Sequence, residues 1–345
     1  MISALMKYSA VIAKVRGMRG KLLTPADWRR LCDMGDVDAV YNFLRVHPGY
    51  ERALASVGAL GAAENEEEAL IEVLRHVEDR EFERIFSYAA SIDKEYLLFA
   101  VRRFELLEIL AALRRLIARH PETPAALPAF FAEKSKINVP ALRSANDLLP
   151  LMIAVQGSIY NEPLAAAPLD PDTGLPDYTQ ASILLENRYY AVLYSFLRKR
   201  YQGIGRANLA AGVGLEADII NIVSIIRLRR YFPGSFDRAL ELLLPIGHRL
   251  PPALRRALVE APSEEAMFAV LRPTRWGRYF DELGDRPVDY VFEKAMEDFS
   301  TRLLHSANPS ICVPQAYLTL RGIEIKRLVR VIKALTYGRD PARFL

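Results

Sequence analysis

LEADIINIVSIIRLRR, residues 215–230, sets an acid, Asp218, four and eight residues ahead of two aliphatics, Ile222 and Ile226. A base, Arg227, follows directly. Residues i, i+4 and i+8 share one face of a helix. The run is rich in β-branched letters, but its apolar residues do not alternate, so the helical period outweighs the strand composition. The acid leads and the base trails, the favourable sense for the helix dipole. The same arrangement occurs as Glu105, Ile109, Leu113 and Arg114, and again as Glu324, Leu328, Ile332 and Lys333, at near-equal intervals. Three ordered copies point to internal repetition. In each copy the aliphatics are expected to pack on a preceding long helix, with the charges at the edges.

Moving outward, a second helical pattern precedes each copy. Residues 66–90 come before 91–120, residues 177–201 before 215–232, and residues 287–307 before 318–338. The run 66–90 opens acidic, and 91–120 ends basic before Pro121; both are helix-end signals. These two are expected to form a long antiparallel hairpin. Further upstream, GDVDAVYNFL (35–44), SANDLLPLMIAV (144–155) and SEEAMFAVL (263–271) each read as a short helix opened by Gly or Ser with acids nearby. Each is followed by a glycine and an aromatic: Gly49 and Tyr50, Gly157 and Tyr160, Gly277 and Tyr279. Before them, LTP (23–25), NVP (138–140) and LPP (250–252) put proline at a helix start. The expected fold is all-α, in three homologous helical units spanning 1–122, 123–234 and 235–345.

Composition narrows the class. Hydrophobic residues make up 51% of the 345 and charged residues 26%, ordinary for a chain with a sizeable core. The longest apolar run, Leu148–Val155, contains Pro150 and is far short of a membrane span. Lys7 and Lys14 interrupt any apolar stretch near the start, so no signal peptide is expected. Two distant cysteines, Cys32 and Cys312, fit a reducing cytoplasm. The net charge of +4 is too diffuse for a dedicated nucleic-acid binder.

No local signature of catalysis stands out. GIGRANLAAGVG (203–214) has four glycines but no Lys-Ser/Thr pair and no preceding strand, and reads as a flexible connector rather than a phosphate loop. Glu72, His76, Asp79 and Glu83 mimic a carboxylate–histidine metal set, but such a cluster more often lines a solvated face. In DELGD (281–285), Asp281 and Asp285 lie four apart, as acids that hold magnesium do; Gly284 argues for a turn instead. RKR (198–200) and RLRR (227–230) adjoin aromatics, as nucleic-acid binders do, yet sit at helix ends where cations are favoured anyway. No cofactor and no metal are expected.

With these residues in hand, the chain resembles the C-subunit family of V-type and A-type rotary ATPases, whose eukaryotic counterpart is known as the d subunit. YSAVIAKVRGMRGKLL (8–23) is similar to the family's opening, with Lys14 in place of its first arginine and Val15, Arg16, Leu22 and Leu23 matching. Asp218, Asn221, Ile222 and Arg227 match its acid-x-x-Asn helix, and residues 320–338 resemble the C-terminal counterpart. Asn221 departs from the outer copies, where Glu108 and Arg327 stand.

The resemblance, which spans the chain, implies a funnel of three similar domains in pseudo-threefold array, cytoplasmic and held peripherally on the membrane through its complex. It implies a non-catalytic monomer within a hetero-oligomer, with partners in the D and F proteins of the rotor shaft and in the membrane proteolipid ring. Lys14, Arg16 and Arg19 become candidate partner contacts. Glu105, Asp218 and Glu324 become candidate structural caps or socket-rim residues, with Arg114, Asn221, Arg227 and Lys333 as structural residues of the repeat. Two other readings are a generic α-helical adaptor and, less well supported, an all-α magnesium-dependent enzyme centred on Asp281 and Asp285.

Overall fold

The computed structural model describes residues 2–55, 66–118, 127–231, 239–281, 283, 286, 289–306 and 309–344. Helix α1 (Ile2–Arg19) is followed by α2 (Pro25–Cys32), α3 (Val37–Val46), α4 (Glu51–Leu54), α5 (Glu66–Tyr88) and α6 (Ser91–Ala118). Helix α7 (Ala129–Lys134) leads into α8 (Val139–Ser144), α9 (Leu148–Ala154), α10 (Asn161–Ala165), α11 (Tyr178–Arg200) and α12 (Gly203–Tyr231). Then come α13 (Pro252–Glu260), α14 (Glu264–Leu271), α15 (Gly277–Asp281), α16 (Asp289–Leu304) and α17 (Cys312–Thr336), with a 3-10 turn at Pro341–Phe344. Among the described residues there is no strand, only one isolated β-bridge between Leu169 and Pro176. The protein is all-α.

One order of five helices recurs three times along the chain, and its local causes recur with it. The first member starts at a proline: α2 at Pro25, α8 around Pro140, α13 at Pro252. Thr24 and Asp27 add a reciprocal capping box to α2, and the Asn138 side chain accepts from the Ala141 N–H at the start of α8. The second member is N-capped by Asp36, Asp147 or Ser263. The sequence suggested Gly or Ser openings; in the first two copies the carboxylate just before the helix takes that place instead. The third member is a single turn preceded by a fully buried aromatic: Tyr50, Tyr160 or Trp276. Two long helices complete each set.

The chain divides into two compact units, one of residues 1–90 with 278–345 and one of residues 91–277. In the first, α16 and α17 form a hairpin, α5 lies along α17, and α1 packs on both α5 and α17. Leu70, Leu74 and Val77 of α5 share a core with Leu328, Val331 and Ile332 of α17, closed by Leu31, Val40, Leu44 and Leu54. In the second, α6 packs chiefly on α11 and carries α8, while α12 contacts α11 and α13. The expected hairpin of 66–90 with 91–120 is thus replaced: the main partners of its two helices are α17 and α11.

The glycine-rich stretch 203–214 is helical and opens α12, not a connector. Gly203 takes the left-handed backbone (φ +58°) just where the chain turns out of α11. From Gly203 to Arg230 this helix is long and apolar enough to cross a membrane by length and composition. Of its apolar 18-residue window, 67% is nevertheless buried within the protein, as in a core helix.

Candidate functional site

Each long second helix aims its acid at the backbone entering a proline-started helix. Glu105 of α6 accepts from the Lys136 N–H (2.5 Å) and the Ser135 hydroxyl (3.0 Å), just before α8. Asp218 of α12 accepts from the N–H groups of His248 (3.1 Å to each oxygen) and Arg249, just before α13. Glu324 of α17 accepts from the Leu23 N–H at 2.6 Å, just before α2. The first two reach 31 residues forward; the third reaches the opposite end of the chain. All three carboxylates are buried. They satisfy loop N–H groups that no helix ladder serves.

Burial pushes all three carboxyls above their usual range, and the N–H bonds pull the other way. For Asp218 the balance leaves it at about 6. The close approach depends on two glycines. A Cβ on Gly214 would meet the Gly247 carbonyl carbon and oxygen at 3.0 Å and the His248 Cβ at 2.9 Å. A Cβ on Gly247 would collide with Asp218 and with the Arg255 guanidinium, which donates to the Leu244, Ile246 and Leu250 carbonyls.

The other end of the proline-started helix is held by a cation in two copies. Arg115 reaches the Leu142 and Arg143 carbonyls at 3.4 Å, and Arg229 reaches the Val259 and Pro262 carbonyls at 3.2 and 3.1 Å. Acid at the entrance and cation at the exit match the ends of the short helix dipole.

The Glu324 copy is elaborated into a buried ionic cluster. Arg321 is fully buried and makes two parallel bonds to Glu81, at 2.7 and 2.8 Å. It also bonds Glu324 and the Tyr50 oxygen (3.1 Å). Tyr317 donates to Glu81 at 2.5 Å, and Tyr50 donates to Glu324 at 2.5 Å. Burial opposes the Arg321 charge, but the bonds to Glu81 and the nearby Glu324 hold it well above its ordinary value. A forked arginine between two carboxylates is the geometry in which a buried charge is satisfied. Tyr160 parallels Tyr50: its hydroxyl donates to the Arg102 carbonyl of α6 at 2.6 Å.

Comparison with known proteins gives these features a family. The model of the ATP synthase (C/AC39) subunit matches residues 11–344. The chain belongs to this family. A relative, the C subunit of the A-type ATP synthase of Desulfurococcus sp. (strain SY), is 23% identical over 346 aligned positions, covering 97% of this chain and 89% of that protein. Family membership makes the chain a rotary-ATPase subunit and favours that reading over the generic adaptor.

Within this C/AC39 member, the other motif residues take distinct places. Asn221 uses both ends of its amide on one residue's backbone, donating to the Leu244 carbonyl (3.1 Å) and accepting from the Leu244 N–H (2.7 Å). At the corresponding position Glu108 takes Arg143 in a fork at 2.7 and 2.8 Å, and Arg327 forks onto Glu297 at 2.9 and 3.0 Å. The trailing bases Arg114, Arg227 and Lys333 are exposed, and Arg114 donates to the Tyr178 hydroxyl at 2.8 Å. On α1, Lys14 lies over the Tyr88 ring at 5.9 Å, while Arg16 and Arg19 are exposed.

The remaining sequence candidates do not converge. Among the described residues no group of three His, Cys, Asp or Glu side chains is placed to hold a metal. Asp79 is pushed up to about 6, first by burial and then by Glu78. Asp281 ends α15 and is exposed, while Asp285 lies outside the described residues. Of the basic clusters, Arg200 pairs with Glu95, and Arg230 with Glu264. Cys32 and Cys312 are both free thiols.

Sequence reasoning passes over Arg321, Glu81 and Trp276. Arg321 stands three residues before the third motif acid; the first copy carries Arg102 there but the second carries Leu215, so the repeat marks the position only in part. Trp276 precedes α15 as Tyr50 precedes α4; its burial shows the equivalence that Tyr279 obscures.

Proposed function

We propose that this protein is the non-catalytic central-stalk coupling subunit of a V/A-type rotary ATPase. In this reading it joins the rotor shaft, made of the D and F proteins, to the membrane proteolipid ring and carries torque for ATP-coupled proton or sodium transport. It sits on the cytoplasmic side, peripheral to the membrane, as one copy in a hetero-oligomer. The observation that carries the reading is the family match over residues 11–344. The coupling role also asks for a body that does not yield under twist. Long packed helices tied by buried acid-to-backbone bonds and an arginine–carboxylate cluster suit that demand.

The three-unit division at 1–122, 123–234 and 235–345 belongs to the same proposal. In its terms Glu105 caps the entrance of the second unit, Asp218 that of the third, and Glu324 that of the first. Lys14, Arg16 and Arg19, on a helix without an acid, are the proposed contacts with the complex.

Reconstitution tests the role. Purified protein is expected to bind an immobilised D–F pair and, separately, a detergent-solubilised proteolipid ring, and to restore coupled ATP hydrolysis to a complex depleted of it. Failure to bind either partner overturns the reading.

A further inference from the structure

Helix α1 offers its cations to a cavity of about 240 Å3 between itself and the ends of α16 and α17. Arg16 and Arg19 lie three residues apart on one helix face and line it together. Ile12, Val15, Leu304 and Val313 give it an apolar side, Ser9 and Ser306 add hydroxyls, and among the described residues no carboxylate lines it. Arg19 is set in place by a neutral group. Its Nη2 lies 2.8 Å from Nε2 of His305, whose Nδ1 is 2.7 Å from the Thr301 carbonyl. The carbonyl requires a proton on Nδ1, so Nε2 accepts from Arg19. This contact orients the guanidinium without cancelling its charge. The Arg16 guanidinium has no hydrogen-bond or ion-pair partner among the described residues. Along its length α1 carries Lys7, Lys14, Arg16 and Arg19 and no acid.

We propose that this cavity is a binding site for an organic carboxylate, its head held by Arg16 and Arg19 and its apolar body by the surrounding aliphatics. The arginine fork matches a carboxylate in shape and charge. The volume is many times the ~10–15 Å3 that a single water needs and exceeds what a bare oxyanion fills. Its walls reward an apolar body. The carboxylate arises either from a free small acid or from the terminus of a polypeptide ending in an aliphatic residue.

Titration calorimetry on the full chain at low ionic strength distinguishes these. 4-Methylpentanoate is expected to bind saturably, one per chain, and 4-methylpentanamide not to bind. Arg16→Gln and Arg19→Gln should each weaken the acid at least tenfold with an unchanged melting temperature. N-Acetyl-leucine binding more tightly than 4-methylpentanoate assigns the site to a polypeptide terminus; weaker binding assigns it to a free acid. The inference is overturned if the acid does not bind saturably, if the amide or inorganic phosphate matches it, or if both substitutions leave it unchanged. The site stands on the cavity alone, so its failure leaves the shaft and ring binding tests untouched.

Discussion

Asp218 shows how a single residue balances two demands. Burial favours its neutral form, and the N–H groups of His248 and Arg249 favour the carboxylate. The folded value of about 6 lies above the unfolded value of about 3.9. Between the two, the folded chain keeps a proton that the unfolded chain has released. The stability this provides is full below about pH 4 and is lost as pH rises through about 6. Wild type should therefore lose about 2–3 kcal/mol relative to Asp218→Asn across that window. Urea unfolding of both proteins at several pH values measures the gap, and parallel curves would refute it. A second prediction concerns loop amides that sit in no helix ladder. Those of Leu23, Lys136 and Arg249 should exchange slowly with solvent, and Glu324→Gln should speed Leu23 alone by at least tenfold. Uniform acceleration at all three would point to general loosening instead. At this scale the sequence is informative about one side only. Glu105, Asp218 and Glu324 stand out by spacing, but their partners are unremarkable backbone N–H groups. A main-chain donor leaves no letter to read.

At the scale of elements, α12 sets local propensity against packing. Helical glycine costs up to about 1 kcal/mol relative to alanine. A Cβ on Gly205 meets nothing within 4 Å, so Gly205→Ala should stabilise the protein by about 0.5 kcal/mol. A Cβ on Gly214 presses on the backbone of Gly247 and on His248, neither of which can rotate away. Overpacking of that kind costs about 1–3 kcal/mol, more than propensity returns, so Gly214→Ala should destabilise. Denaturation midpoints of the two variants should move in opposite directions; a shared direction would mean that packing at Gly214 has been misjudged. The same conflict explains why 203–214 looks like a connector in the sequence. Glycines chosen for the close approach of another segment resemble glycines chosen for flexibility, because composition records the residue and not its neighbour. Helical periodicity marks the existence of the long elements, though it starts α12 and α17 too late, since a buried stripe is a property of one helix by itself. It does not mark partners: α5 and α6 are neighbours in sequence, yet α5 buries its stripe on α17 and α6 packs on α11. Trp276 escapes notice for a related reason, its role being visible only as burial before α15.

For the molecule as a whole, the consequence is that one compact unit is contiguous and the other is not. Residues 91–277 contain both ends of the Glu105 and Asp218 bonds and the packing of α6 on α11. The unit made of 1–90 and 278–345 draws Glu81, Tyr50 and the Leu23 N–H from one segment, and Arg321, Tyr317 and Glu324 from the other. Separating the segments takes Glu81 from the buried Arg321, leaving it only Glu324, and takes the apolar face of α17 from α5. Breaking a buried pair in this way costs about 3–5 kcal/mol, a large part of the stability of any domain. A fragment of 91–277 is thus expected to melt cooperatively by circular dichroism, whereas 1–90 and 278–345 alone should not. Mixed in equal amounts, the two end fragments should regain helicity and a cooperative transition, and Arg321→Met in the second fragment should weaken that recovery. Cooperative melting of either end fragment by itself would show that the cluster decorates units already stable, rather than joining the two ends of the chain into one.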